Sequence, residues 1–541
     1  MKKKDIIISD KYLNIIKLIL IISSVILSNL FQHGLLMKYR IISSILVFII
    51  TFIILKQFKL DKLNKTKLLC STLIALYTSK FILGFANNNP YNLITALSNK
   101  FNYQFIYEIL FVLFGIGIIP ILTLYIYLFI KNILPKVKDF IINLTKVEKI
   151  YLGIITIIGT LISGVVICTT TAFTVPRIEN GQLHYYDIVY TADNGAIASD
   201  DAYLDIPHLE NDIRQPLFAL FASPFSITAH AISELLPFSH DDKNYYFVMI
   251  IFQFIITTIT TIMLSKLLSL NEKDKIYFYT LFSISFPYLI FNIVLEQYVI
   301  GLFYLILTIY MYKESKRINY AYLGGVSTLL TTGILFPLIT HKEKIKDKIN
   351  ELFKAFMVFV SIFILCGGLQ MVFTLLDRLR FLMSFTGREV LLVEKIQQFT
   401  HFIAGIFIAP TGEVINNSFG AISYQLIAPT TISILGITIF VICIVSAILN
   451  RKEYLARISL FWVLFSVFVL LGMGWGTQEN GLILYSLYFG WGYLTLIYLF
   501  IKKLFTNKKL FNIVFITIII LMIFFNFKEL INVLKFAIMN Y

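Results

Sequence analysis

The sequence predicts an all-α fold, a polytopic membrane protein with about 13 to 14 transmembrane helices. Of its 541 residues, 58% are hydrophobic and only 14% are charged, whereas about one quarter of a soluble domain is charged. Many apolar runs reach the roughly 20 residues that cross the hydrocarbon core of a bilayer. Lys and Arg gather in the short loops between these runs, as they do in loops that stay cytoplasmic. The net charge of +15 therefore indicates membrane topology and not nucleic-acid binding.

Apolar runs that are long enough to span the bilayer follow one another along most of the chain. The predicted spans are 13–31, 39–57, 68–86, 106–130, 150–170, 245–268, 276–293, 296–312, 352–376, 428–449, 458–474, 481–501 and 509–526.

One further apolar run, 319–341, is ambiguous. If it crossed once, Lys342 and Lys344 would lie outside, against the preference of short basic loops for the cytoplasm. Gly333 and Pro337 also weaken a continuous helix. We interpret the run as a broken hairpin of two short helices that returns to the cytoplasmic side, and a single span is the alternative.

Basic loops predict the orientation of the chain. The amino terminus and the loops at 56–67 and 131–149 are rich in Lys, which places them in the cytoplasm. Counting spans from there puts 171–243 and 377–427 outside the cell membrane, and we call them the first and second polar segments. Helical stretches at 217–236 and 389–407 are amphipathic and are expected to lie in the membrane interface.

The loop before residue 150 also suggests a division of the chain. Four additional amino-terminal helices form the region 1–149, and the region 150–541 forms a transmembrane core that carries both polar segments.

The first polar segment opposes the charge of the rest of the chain, because it carries eleven acids against three bases. A carboxylate beside another can have its pKa raised into the range of a general base. Such a pair can also hold a divalent cation, Mg²⁺ or Mn²⁺, through hard oxygen ligands. The candidates are Asp200, Asp201, Glu210 and Asp212. A solvated acidic loop without chemistry is the alternative.

Other polar residues near the membrane surface could join them. Arg214, which precedes Gln215, can grip a phosphate with two parallel hydrogen bonds or pair locally with Asp212. Glu296 stands out because ionisable groups near the membrane core are costly and often functional; a hydrated interfacial position is the alternative. Glu479 lies between two spans and could reach the same outer cavity or form a tight turn.

The order of these parts resembles the GT-C superfamily of integral-membrane glycosyltransferases, especially bacterial relatives of the protein O-mannosyltransferases and lipid A aminoarabinose transferases. In that family, a long outer loop with an acidic pair follows a spanning helix, and Asp200-Asp201 resembles the pair. A short motif of the His-Pro-Pro-Leu kind then leads into an interfacial helix, and the stretch 214–217 resembles its Pro-Leu part. Glu296 resembles an acidic residue at the outer start of a later span. The resemblance covers about residues 150–526, although the acidic pair lies unusually far beyond its helix.

The resemblance implies transfer of a sugar from a polyprenyl-phosphate donor to a cell-envelope acceptor at the outer face of the cell membrane. One of Asp200, Asp201 and Asp212 would be the catalytic base, and Asp200 and Asp201 could bind the cation. Aromatic residues such as Tyr190 and Trp475 could stack on sugar rings. The substrate-binding candidates are Glu210, Arg214, Gln215, Glu296, Arg388 and Glu479.

Two other classes of protein stay open. A transporter or flippase of lipid-linked sugars would place charged residues within spans, around paired broken helices in repeated halves; the spans here are almost free of charge and show no repeat. A surface-glycan polymerase or ligase also uses long outer loops and differs mainly in its acceptor.

Overall fold

A computed structural model gives the fold of most of the chain. The residues it describes are 5–7, 10–31, 37–57, 62–88, 104–173, 177–179, 182–184, 188–190, 192, 194, 197, 203–204, 214–236, 241–315, 328–339, 344–369, 372, 375–415, 418–421, 431–478 and 481–541.

Helices make up nearly all of the described chain. They are α1 Asp10–Phe31, α2 Met37–Gln57, α3 Lys65–Asn88, α4 Gln104–Asn132, α5 Leu134–Ile142, α6 Lys146–Thr169, α7 Phe218–Ser233, α8 Asp241–Leu267, α9 Glu272–Ser283, α10 Phe286–Phe291, α11 Tyr298–Ser315, α12 Thr328–Ile339, α13 Ile345–Leu365, α14 Leu375–Ser384, α15 Leu392–Phe407, α16 Thr431–Leu449, α17 Tyr454–Ser466, α18 Ser486–Leu504 and α19 Lys508–Asn540.

A π-helical segment, Val467–Gly472, continues α17, and a 3-10 helix, Leu482–Tyr485, precedes α18. Short antiparallel hairpins are the remaining regular structure in the described residues. They pair β1 Asp5–Ile7 with β2 Lys62–Asn64, β3 Arg177–Glu179 with β4 Gln182–His184, and β5 Gly412–Ile415 with β6 Ser418–Ala421.

Within the described residues, seven helical stretches are long and apolar enough to cross a membrane. They are Gly117–Ile142, Lys146–Thr169, Lys243–Leu267, Thr431–Leu449, Tyr454–Gly472, Leu482–Leu504 and Lys508–Asn540. They confirm an all-α, polytopic membrane protein. The larger predicted number of spans stays a prediction.

The predicted span 276–293 is wrong as a continuous helix, because the chain breaks between α9 and α10. Ser285 is extended, with ψ 141°, and Pro287 two residues later lacks the amide hydrogen that an unbroken helix would use. A second break, at 292–297, separates α10 from α11.

The last predicted span, 509–526, is too short. Helix α19 runs on to Asn540, past the polar residues Asn526, Glu529 and Asn532 that end the apolar run in the sequence. Their side chains find hydrogen-bond partners, so the helix carries them without leaving polar groups buried and unpaired.

The described chain divides into two compact units. The first comprises Met1–Thr145, Tyr203–Ile227 and Phe356–Leu376. In it, α1 packs against α2 and α4, and α3 packs against α4. Ser28 Oγ on α1 donates to the carbonyl of Ile364, at 3.2 Å, which joins α13 to this helical group.

The second unit comprises Lys146–Ala202, Thr228–Ala355 and Asp377–Tyr541. Helix α8 packs against α6 and α11, and α18 packs against α16 and α17. Trp462 on α17 is fully buried and donates its indole N–H to the carbonyl of Tyr488 on α18, at 2.7 Å.

An ion-pair cluster joins three helices at one end of the second unit. The carboxylate of Glu148 on α6 is fully buried and lies 3.1 Å from Lys266 Nζ on α8 and 2.9 Å from Lys275 Nζ on α9. Lys275 also pairs with Glu272, at 2.7 Å. Two lysines thus neutralise a carboxylate that would be costly to bury alone.

Candidate functional site

The two polar segments touch each other in the second unit. The amide of Tyr190 donates to the carbonyl of Phe419, and the amide of Phe419 donates to the carbonyl of Ile188, both at 2.8 Å. Val189 forms an isolated parallel bridge with Phe419, so residues 188–190 are bonded to the edge of the β5–β6 hairpin. The sequence predicted that both segments share one face; contact between them is new.

Glu529 on α19 lies beneath this junction and is 5% exposed. Its Oε1 accepts the amide hydrogen of Gly412 at 2.6 Å and the Tyr190 hydroxyl at 3.3 Å. Its Oε2 accepts Asn532 Nδ2 at 3.2 Å. At Gly412 a Cβ atom would lie 2.6 Å from Glu529 Oε1 and would collide with the Phe419 ring, so glycine permits this close approach.

Asn526, one helical turn earlier on α19, makes a second set of contacts. Its Nδ2 donates to the carbonyls of Ile284 at 2.7 Å and Phe407 at 2.9 Å. Its Oδ1 accepts the amide hydrogen of Ala409 at 2.7 Å. These bonds pair backbone groups that the ends of α9 and α15 leave without helical partners.

The helix break at 292–297 forms a second buried polar region. Gln253 on α8 donates from Nε2 to the carbonyls of Asn292 at 3.2 Å and Val294 at 3.1 Å. Thr257, one turn later, donates to Asn292 Oδ1 at 2.8 Å. A polar stripe on α8 therefore supports backbone that is not helical.

Glu296 lies in this break and is only 3% exposed, which excludes the fully hydrated position. Its Oε2 accepts the amide hydrogen of Gln297 at 3.2 Å. Two buried amide atoms accompany it: within the described part of the chain, Gln253 Oε1 and Gln297 Nε2 have no hydrogen-bond partner. A carboxylate, an amide acceptor and an amide donor are thus gathered around one break in the helix.

Tyrosine rings adjoin the break. Tyr298, the first residue of α11, packs edge-on against Tyr488 at 5.0 Å and near Tyr485 at 6.3 Å between ring centroids. The Tyr485 hydroxyl accepts the indole N–H of Trp475 at 2.8 Å. Tyr190, in contrast, is buried against Phe286 and Phe419, a position that does not favour stacking on a sugar.

Trp475 belongs to a tight loop that is bound to the second polar segment. The Gly387 amide donates to the Gly474 carbonyl at 2.9 Å, and the Gly476 amide donates to the Phe385 carbonyl at 3.0 Å. Gly474 and Gly476 have φ values of 70° and 76°, in the left-handed region that glycine adopts at no steric cost.

Two cations lie beside this loop. Arg388 is exposed and directly follows the glycine that bonds to Gly474. Lys395 is half-buried, and a Cβ atom at Gly474 would lie 2.8 Å from its Nζ. Lys395 therefore brings a positive charge to the loop, and Arg388 Nη2 lies 3.4 Å from Met383 Sδ.

The structure describes some of the predicted site residues and leaves others out. Arg214 and Gln215 belong to the first unit, where the Gln215 carbonyl accepts the amide hydrogen of Phe218 at the start of α7. Glu296 and Arg388 belong to the second unit. The predicted residues outside the described part of the chain are Asp200, Asp201, Glu210, Asp212 and Glu479.

Sequence reasoning missed Gln253, Gln297, Asn526 and Glu529. A usable signal was present, because a carboxylate or a carboxamide inside a long apolar run is costly unless it has a partner. In α19 the polar residues also recur at three-residue spacing, which places them on one helical face.

No group of three or more His, Cys, Asp or Glu side chains that could hold a metal ion occurs in the described residues. The predicted cation ligands Asp200 and Asp201 lie outside those residues, so the metal stays a prediction. In comparisons with known proteins, no family model, no curated protein and no solved structure matches the chain.

Proposed function

We propose that the protein is a membrane glycosyltransferase that moves a sugar from a polyprenyl-phosphate donor to a cell-envelope acceptor on the outer face of the membrane. The main support is the helix break around Glu296. A sugar hydroxyl both donates and accepts hydrogen bonds, which suits a carboxylate, the amide oxygen of Gln253 and the amide N–H of Gln297. Buried amides gain most from such a ligand, since each unpaired group costs about 1–3 kcal/mol. The rings of Tyr298 and Tyr485 would supply the apolar wall that ligand pockets combine with a few polar groups.

In the proposed reaction, residues of the chain accept the proton and stabilise the leaving group. One of Asp200, Asp201 and Asp212 accepts the proton of the acceptor hydroxyl, whose oxygen forms a bond to the anomeric carbon. The bond from that carbon to the donor's phosphate oxygen breaks, and polyprenyl phosphate leaves. Arg388 and Lys395 stabilise the charge that develops on the phosphate. Mg²⁺ or Mn²⁺ at Asp200 and Asp201 would supply further positive charge, although no step depends on it.

The test is transfer of labelled sugar from polyprenyl phosphate into envelope material by membranes that contain the protein. We expect Glu296→Gln to keep the helix break but weaken transfer strongly, because an amide cannot replace a charged acceptor. We expect loss of the catalytic base, in Asp200→Asn, Asp201→Asn or Asp212→Asn, to reduce the rate about 10²- to 10⁴-fold. Glu314→Gln is the control, since Glu314 is exposed at the far end of α11. Full transfer by all four test variants would exclude the proposal.

A transporter or flippase of lipid-linked sugars is the second candidate. Two breaks between α9 and α11, with a buried carboxylate at one of them, are features that transporters also use at their substrate and ion sites. Glu148 is fully buried and Lys266 is half-buried within candidate spans, so the spans hold more charge than the sequence alone indicated. Coupled solute movement into liposomes that contain the purified protein, without transfer, would favour this class.

A surface-glycan polymerase or ligase would share the donor and the site. The length of the product on a gel separates it from a transferase that adds one sugar, because a polymerase gives a ladder of products.

A further inference from the structure

We infer that Asn526 and Glu529, together named the α19 anchor, are positioning residues that hold the first polar segment against the second. Only the step from the anchor to catalysis rests on the proposed function.

The shared carboxylate oxygen is the first observation. Glu529 Oε1 accepts one hydrogen bond from Gly412 of the second polar segment and one from Tyr190 of the first. Hydrogen bonds to a charged acceptor are about twice as strong as neutral ones. Because Glu529 is almost fully buried, water competes little for that oxygen. A single atom therefore links the two segments.

The backbone of Tyr190 is the second observation. Its φ of 52° lies in the left-handed region, which is unfavourable for a bulky residue with a Cβ atom and persists only where the surroundings fix it. Three contacts fix it here: the hydrogen bond from the Tyr190 amide to the Phe419 carbonyl, the edge-on packing of the ring against Phe286 and Phe419, and the hydrogen bond from the hydroxyl to Glu529. The anchor thus helps to hold a backbone conformation that the chain alone disfavours.

Asn526 extends the anchor to the supporting helices. Its side chain uses both amide hydrogens and its oxygen on the backbone of Ile284, Phe407 and Ala409. The second polar segment is therefore held at Ala409 and Gly412, three residues apart, by side chains one turn apart on α19.

The α19 anchor also affects the position of the predicted catalytic acids. Tyr190 precedes Asp200 by ten residues, so the anchored residues 188–190 fix one end of the stretch that carries Asp200 and Asp201. Small displacements of reacting groups cost large factors in rate. We expect loss of the anchor to lower kcat while the KM for the donor changes little, because the residues around Glu296 remain in place.

Hydrogen exchange of the full-length protein in lipid nanodiscs tests the anchor without any activity. In Glu529→Leu, we expect amides in peptides that cover residues 188–190 and 412–421 to exchange about tenfold faster, which corresponds to the loss of about one charge-assisted hydrogen bond in each segment. In Tyr190→Phe, we expect faster exchange at 188–190 and unchanged exchange at Gly412. Glu529→Gln should give exchange intermediate between the wild type and Glu529→Leu at both places, because a glutamine oxygen accepts the same two donors but is a neutral acceptor.

The control is Lys535→Leu, an exposed position on the same helix, which should leave exchange unchanged. Unaltered exchange at both segments in Glu529→Leu would overturn the inference. A uniform increase that includes α18 would also overturn it, since that result describes a general loss of stability. If the exchange results hold but sugar transfer is absent from the wild-type protein, the anchor stands and the proposed function fails.

Discussion

A single buried histidine gives the second unit a defined response to acid. His401 on α15 is 3% exposed, and its Nε2 lies 3.0 Å from Ser433 Oγ on α16. Burial lowers the pKa of His401 below its ordinary value, because the charged imidazolium loses hydration. The folded protein therefore holds the neutral ring at a pH where the unfolded chain already binds a proton.

We expect stability to decrease as pH falls through the ordinary histidine pKa, about 6.5. The direction follows from linkage. Because the pKa of His401 is lower in the folded protein than in the unfolded chain, the unfolded chain binds the proton first as pH falls, and stability is lost below the unfolded-state pKa. The measurement is the midpoint of thermal unfolding in detergent between pH 8 and pH 5, compared with His401→Gln, which keeps a hydrogen bond to Ser433 and does not titrate. The midpoint should fall more in the wild type. Parallel curves for the two proteins would contradict the prediction.

At the residue scale, the sequence singled out Glu296 but neither Gln253 nor Glu529. Glu296 could be selected because a lone carboxylate beside an apolar run is unusual. Gln253 could be noticed only as a polar residue inside an apolar run, since its role depends on the carbonyls of Asn292 and Val294, which are free only because the helix breaks there. The importance of Glu529 likewise arises from Gly412 and Tyr190, which lie more than a hundred residues away in the sequence.

At the scale of the element, the packing of α15 against α16 depends on one glycine. A Cβ atom at Gly436 on α16 would collide with the Thr400 carbonyl on α15, and a backbone atom cannot move aside as a flexible side chain can. Gly153 on α6 is the opposite case, since no atom lies within 4 Å of its Cβ position. Both glycines are inside helices, where alanine is intrinsically favoured by about 1 kcal/mol.

We therefore expect Gly436→Ala to destabilise the protein by about 1–3 kcal/mol, the usual cost of overpacking. Gly153→Ala should be neutral or slightly stabilising. Thermal unfolding of both variants in the same detergent measures the difference. Equal midpoints for the two variants would show that α15 and α16 are not packed as described.

Helix existence could be predicted from the sequence far better than helix ends. The predicted span 428–449 and α16 agree closely. This apolar run contains no charged residue, and both the run and the helix end where polar residues begin. The span 509–526 and α19 disagree, because the polar residues that end the apolar run are paired by distant segments. The break near Pro287 was also missed, since a hydropathy average does not register a single missing backbone donor.

At the scale of the whole molecule, composition was sufficient for the class of fold. Most side chains of a chain that is 58% hydrophobic must be buried or face lipid. Helices suit this environment because their backbone hydrogen bonds form within the helix. Sidedness is a different matter, because it depends on the charge of short loops and not on packing.

The two ends of α18 provide the cleanest place to measure that sidedness. Gln478 and Thr506 are both exposed and lie on either side of the apolar stretch Leu482–Leu504. Thr506 is in a Lys-rich loop, which predicts the cytoplasmic side. In a protein whose four native cysteines are replaced, we expect Gln478→Cys to react with a membrane-impermeant maleimide on intact cells. Thr506→Cys should react only after the membrane is permeabilised. The reverse pattern would put the Trp475 loop, and with it Arg388, Lys395 and the second polar segment, in the cytosol, where an acceptor of the cell envelope does not reach them.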